Sequence, residues 1–113
     1  YKPVFFLNNN DKDLIDNIKF EINSALFPEL ETNLSCPALI TAMATRLEKA
    51  ISIDNGVMHM IGLANIPMIV LFGPTNSKKF APKINNIEIL DSKILNNSED
   101  IESIKEEDVL KFI

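Results

Sequence analysis

Apolar residues follow two alternating rhythms along this chain. Short unbroken runs are each closed by a polar turn, and longer stretches carry apolar side chains at the three-and-four spacing of a helix face. Residues 4–7, Val-Phe-Phe-Leu, are followed by Asn8, Asn9, Asn10 and Asp11, the pattern of a buried strand ending in a polar turn. Leu14, Ile15, Ile18, Ile22, Ala25 and Leu26 then recur at helical spacing until Pro28 stops the run, with Asp11 and Asp13 where negative charge suits a helix start. From Cys36 the order repeats. Pro37 suits a first helical turn, and Leu39, Ile40, Met43 and Leu47 form a stripe that ends at Lys49. A brief strand at 50–53, a sharp turn at Asp54, Asn55 and Gly56, and a short helix over 57–63 come next. Pro67 precedes the apolar strand 68–72, which ends in the turn Gly73, Pro74 and Thr75. Residues 87–90 read as a last strand and 96–100 as a loop; Ser103 with Glu106 three residues later predicts a capping box for a terminal helix through Val109, Leu110 and Ile113.

Strands that are apolar throughout and alternate with helices imply an α/β fold, a Rossmann-like parallel sheet with helices on both faces. The length of 113 residues leaves room for one core, so residues 1–113 are expected to form a single domain. Opening on Tyr1 and passing almost at once into an apolar run, the chain reads as a piece of a longer protein. No stretch reaches the roughly 18 apolar residues of a membrane span. Charge narrows the partners further: the net charge of -5 provides no basic field for DNA or anionic lipid, so nucleic acid is not an expected partner. The single Cys36 has no second cysteine for a disulfide or a zinc pair, which fits a reducing, cytoplasmic setting.

Segment 51–75 carries most of the chemistry. A strand that passes through Asp54-Asn55-Gly56 directly into a helix directs unpaired N–H groups and the positive end of the helix dipole at whatever lies above the sheet, which favours phosphate. Gly56 carries no side chain to hinder a close-lying diphosphate, and His59 falls on the same face of the first turn, able to add a hydrogen bond or a positive charge. Open parallel sheets bind ligands at the carboxyl ends of their strands, where both the Asp54 and the Gly73 turns belong. Taken alone, these residues fit an ordinary turn and helix cap equally well.

The run Ile51-Ser52-Ile53-Asp54-Asn55-Gly56-Val57-Met58-His59-Met60, followed by Gly62-Leu63-Ala64, by Pro67 and by Leu71-Phe72-Gly73-Pro74-Thr75, resembles the signature of glycosyltransferase family 9. That bacterial family contains the ADP-heptose:lipopolysaccharide heptosyltransferases. Its pattern is a strand, Asp, Ser or Thr, Gly, two residues, His, an apolar helix, Pro, a second strand, then Gly-Pro-Thr, and the spacing here matches without gaps. The resemblance implies the C-terminal half of a GT-B enzyme, with a missing N-terminal GT-B domain completing the cleft. It implies a nucleotide-sugar donor and a glycan or glycolipid acceptor as partners, at the inner face of the cytoplasmic membrane, with no cofactor and no metal. Carried over position by position, Asp54, Asn55, Gly56 and His59 become donor-site residues. His59 would stabilise the departing diphosphate as a catalytic group, and the general base is expected from the missing domain. Asn55 stands where the family has Ser or Thr; its amide still donates to a phosphate oxygen, while the preference for sugar or base is left open.

Weaker candidates surround this window. Asp11 or Asp13 fits a contact with ribose hydroxyls or a simple helix cap, and Thr75 fits a contact with phosphate or acceptor. Lys78 and Lys79 read as a solvated pair, Cys36 as a buried or half-buried side chain, Met43, Met58 and Met60 as packing, and Arg46 as the exposed face of its helix. Two rival readings stay open: another GT-B enzyme that uses a UDP-sugar, and a non-catalytic Rossmann-like module that binds a nucleotide or a protein.

Overall fold

A computed structural model of the chain describes residues 1–7, 10–32 and 36–113. These divide into two compact units, Tyr1–Cys36 and Pro37–Ile113.

In the first unit, helix α1 spans Lys12–Glu21 and buries Ile15. Asn23 and Ser24 turn the chain there, since both side chains compete with the helical backbone bonds. Leu26, expected on the helix, instead lies in a parallel bridge to Val4. Phe5 N–H donates to Leu26 O at 2.8 Å, and Leu26 N–H to Pro3 O at 3.0 Å. The strand expected over 4–7 is therefore reduced to this bridge, and Asn8 and Asn9 of its expected turn lie outside the described residues. Phe27 is buried, stacks on Phe5 at 5.5 Å between ring centroids, and carries the Lys19 ammonium over its ring.

The second unit is a three-stranded parallel sheet in the order β1 (Ala50–Ile53), β2 (Met68–Phe72), β3 (Ile87–Asp91). Helix α2 (Pro37–Ala44) precedes β1, α3 (Gly56–Gly62) links β1 to β2, and α4 (Ser77–Phe80) lies between β2 and β3. After β3 come α5 (Ser92–Asn96) and α6 (Glu106–Leu110), with a short 3-10 turn at Ile101–Ser103 between them. Central position explains the composition of β2. Met68, Ile69, Val70 and Phe72 are each at most 2% exposed, and burying a side chain of this size contributes about 1.5–3 kcal/mol. Coverage is less complete at the sheet's two borders. Ile51 and Ile53 of β1 are about half exposed and Ile89 of β3 is 41% exposed, so the expectation of strands buried on both faces holds along β2 alone.

Three expectations for the C-terminal part require correction, the first being that α6 ends at Leu110 and not at Ile113. Ser103 does not cap the last helix: Lys105 occupies the N-cap, and its N–H donates to the Asp108 carboxylate at 3.2 Å, which shifts the capping interaction two residues along. The 96–100 loop is shorter than expected, because α5 runs to Asn96 before Asn97 ends it in the left-handed conformation that asparagine tolerates. Helices α4 and α5 themselves escape detection by periodicity, being too short to display one.

Candidate functional site

The carboxyl ends of β1 and β2 present two turns side by side. At the first, the sheet hydrogen bonding extends one residue beyond β1: Asp54 N–H donates to Leu71 O at 3.2 Å. Asn55 follows in extended backbone, and its side-chain oxygen accepts from Met58 N–H at 3.0 Å, the N-cap arrangement that starts α3. With that N–H capped, helix geometry leaves those of Gly56 and Val57 without an intrahelical acceptor. Gly56 has no positive φ, and a Cβ built on it meets nothing within 4 Å. Neither backbone strain nor packing therefore requires glycine here. What glycine does provide is an unobstructed helix start.

His59 is exposed one turn further on, three residues from Gly56 on the same helix face. Beneath it, Met58 and Ile61 are buried, and the Thr41 hydroxyl donates to Met60 O at 2.8 Å, tying α2 to α3. The exposed and buried faces of α3 follow directly from this alternation.

The second turn holds Thr75, whose hydroxyl donates to the Asp54 carboxylate at 2.5 Å. Two residues 21 apart in sequence thus meet, as the expectation of neighbouring turns at the carboxyl end of the sheet requires. Gly73, at the base of this turn, is needed for packing: an added Cβ would come within 3.1 Å of Glu99 O and of the Ile101 Cβ.

Behind Thr75 lies a polar cluster that no sequence motif marked. Asp91, at the end of β3 and 4% exposed, accepts from the Ser77 hydroxyl at 2.6 Å and from Lys93 N–H at 2.9 Å. Its carboxylate also pairs with the Lys93 ammonium at 3.0 Å. The same ammonium donates to the carbonyl oxygens of Gly73 and, at 2.7 Å, of Thr75. Burial alone would push the Asp91 carboxyl up, but the hydrogen bonds from Ser77 and Lys93 and the lysine charge outweigh it and hold the group below the ordinary carboxylate range. The sequence signal for this cluster was an acidic residue, Asp91, closing the strand and followed two residues later by Lys93.

The remaining candidates belong to other segments of the chain. Asp11 is exposed at the N-cap of α1 in the first unit, and its side chain makes no capping hydrogen bond. Lys78 and Lys79 are exposed on α4, with the Lys79 ammonium 5.3 Å from the Phe80 ring centroid. Cys36 is exposed, not buried or half-buried as expected; Pro37 and Ala38 beside it are exposed as well, while Ala44 at the far end of α2 is buried. Met58 is fully buried, Met43 and Met60 are half-buried, and Arg46 is exposed, all as expected of packing residues and a helix surface. Among the described residues no three His, Cys, Asp or Glu side chains group as a metal cage. Nor, among them, is any helix long and apolar enough to cross a membrane.

Comparison with known proteins adds two findings. Residues 3–111 match the family described as Glycosyltransferase family 9 (heptosyltransferase). The fold is similar to the crystal structure of the glycosyl transferase family 9 from Veillonella parvula DSM 2008, with a TM-score of 0.79 and 24% identity. That alignment covers 99% of this chain and 35% of the other, so the chain spans about a third of the solved protein's length. No curated protein matches the chain.

Proposed function

The chain belongs to glycosyltransferase family 9, the heptosyltransferase family, and from that premise we propose that it is the donor-binding domain of a two-domain GT-B enzyme. The full-length protein transfers a sugar from a nucleotide-diphosphate donor of the ADP-heptose type to a lipopolysaccharide core or related glycan acceptor, working at the inner face of the cytoplasmic membrane. The observation that carries this reading is the convergence of Asp54, Asn55, Gly56 and Thr75 at the carboxyl ends of β1 and β2, with the space over Gly56 unobstructed.

In the proposed reaction an acceptor hydroxyl attacks the anomeric carbon, and the bond from that carbon to the diphosphate oxygen breaks. Negative charge then develops on the diphosphate. The Gly56 and Val57 N–H groups would receive it by hydrogen bonding, and His59 would add a further donor or a positive charge. Asp54, fixed by the Thr75 hydroxyl, is suited to accept from hydroxyls of the donor sugar. Asn55 already spends its side-chain oxygen on the helix cap, which leaves its amide hydrogens for a phosphate oxygen. Asp11 is proposed only as a contact for ribose hydroxyls. The acceptor's proton passes to a base outside this chain, in the missing N-terminal domain.

The test uses the full-length protein with ADP-heptose and, in parallel, a UDP-sugar. His59→Ala and Gly56→Val should each cut transfer at least about a hundredfold with the melting temperature preserved, the order seen when one charge-stabilising donor is lost. Unchanged turnover in both variants would remove the case for this turn. Turnover of the UDP-sugar alone would move the enzyme to another donor class within the same architecture, and protection by nucleotide without any transfer would favour a binding module.

A further inference from the structure

We propose that Lys93 is a positioning residue for the donor site: its ammonium group ties the 73–75 turn to the end of β3 and thereby holds the Thr75 hydroxyl on the Asp54 carboxylate. The inference rests on the donor-site reading above and deepens it. A lysine ammonium carries three N–H donors and no acceptor. Here three acceptors surround it, the carbonyls of Gly73 and Thr75 and the carboxylate of Asp91. All three protons are thereby committed. Lys93 is the cation bound to the Thr75 turn, yet it has none left for a phosphate, so its contribution is placement and not ligation.

The geometry of the turn explains why it requires an external tie. Pro74 has no N–H, and the two carbonyls that Lys93 holds belong to the residues on either side of it. The anchor is itself rigid: Asp91 is buried, and it accepts from Ser77 at the start of α4 and from the backbone N–H of Lys93. On its other side Gly73 packs against Glu99 and Ile101, which prevents the turn from drifting that way. What remains free to move without Lys93 is the segment bearing Thr75, and with it the side-chain hydrogen bond from Thr75 to Asp54. Misplacing a binding group by about an ångström costs up to roughly a hundredfold, so a tenfold loss is a reasonable expectation.

The experiment compares Lys93→Met with wild type in the full-length protein, using whichever of ADP-heptose and UDP-N-acetylglucosamine the wild type turns over. The expected result is a donor KM raised about tenfold, with kcat and the acceptor KM within about twofold. Thr75→Val should raise donor KM in the wild-type background and add less than twofold in the Lys93→Met background. Hydrogen exchange of the 75–79 amides should quicken while that of 68–72 stays unchanged, a separation that general loss of stability does not produce. A donor KM unmoved by Lys93→Met, an undiminished effect of Thr75→Val, or exchange quickened throughout the sheet would each overturn the proposal. His59→Ala serves as the control. Loss of transfer there, with none in Lys93→Met, rejects the positioning role and leaves the donor site standing; no effect in either rejects the donor site itself, as does a wild type that turns over neither nucleotide sugar.

Discussion

Two glycines at the ends of neighbouring strands should respond in opposite directions to the same added methyl group. At Gly56 the backbone is already in a region open to alanine, and the new Cβ would meet nothing within 4 Å. Alanine there restricts the unfolded chain without straining the folded one, which stabilises a protein by about 0.4–1 kcal/mol. For a unit of this size that corresponds to a rise in melting temperature of roughly 2–8 °C. At Gly73 the Cβ would come within 3.1 Å of Glu99 O and the Ile101 Cβ and 3.3 Å of Ile101 N. Two of those atoms are backbone, so they cannot swing aside, and overpacking of this kind costs about 1–3 kcal/mol. The assay is thermal unfolding of the full-length protein and its Gly56→Ala and Gly73→Ala variants, followed by donor turnover on the same samples. Gly56→Ala should melt no lower than wild type yet transfer more slowly, because the methyl group occupies the space over the helix start. A lowered melting temperature with normal turnover would show instead that Gly56 serves the fold, and the argument from its open surroundings would fail.

Three further outcomes follow from the packing and the polar contacts. Met58→Ala, at a fully buried side chain under the α3 face, should cost about 2–5 kcal/mol in urea unfolding. Asn55→Ala removes the cap on Met58 N–H and should cost about 1 kcal/mol, read as a lower urea midpoint with an unchanged slope. Asp91 should make the fold acid-sensitive. Its folded pKa is depressed, so between that value and the ordinary one of 3.8 the unfolded state binds the extra proton, and stability present above this range falls away as pH drops through it. Asp91→Asn should flatten that part of the stability-against-pH curve, and an unchanged curve would show that the carboxylate is not held as its contacts imply.

Local pattern sufficed for the elements whose own residues dictate them. The bounds of β1 and β2 agree with the expectation residue for residue, because an apolar run closed by Asp54-Asn55-Gly56 or Gly73-Pro74-Thr75 leaves the chain no other place to turn. The Asp54 turn and the helix start that follows it were legible for the same reason: both lie within three residues of a strand end. Where two elements compete for the same residues, pattern alone misled. Leu26 fits the stripe of α1 but pairs with Val4, and Ser103 fits a capping box that Lys105 and Asp108 form instead.

Motif spacing together with the family match fixed the kind of protein this is, since the Asp-Asn-Gly-x-x-His and Gly-Pro-Thr turns are short stretches whose chemistry is written in consecutive residues. Tertiary structure alone decided which of those residues meet and what holds them. Thr75 reaches Asp54 only because β1 and β2 pair in parallel and end within one residue of each other. Lys93, Asp91 and Ser77 act together only because the end of β3 comes to lie behind the second turn. Hydrogen bonds fade within a few ångströms, whereas Thr75 and Asp54, Ser77 and Asp91, and Lys93 and the two turn carbonyls are 14 to 21 positions apart along the chain, so local pattern does not announce these pairings.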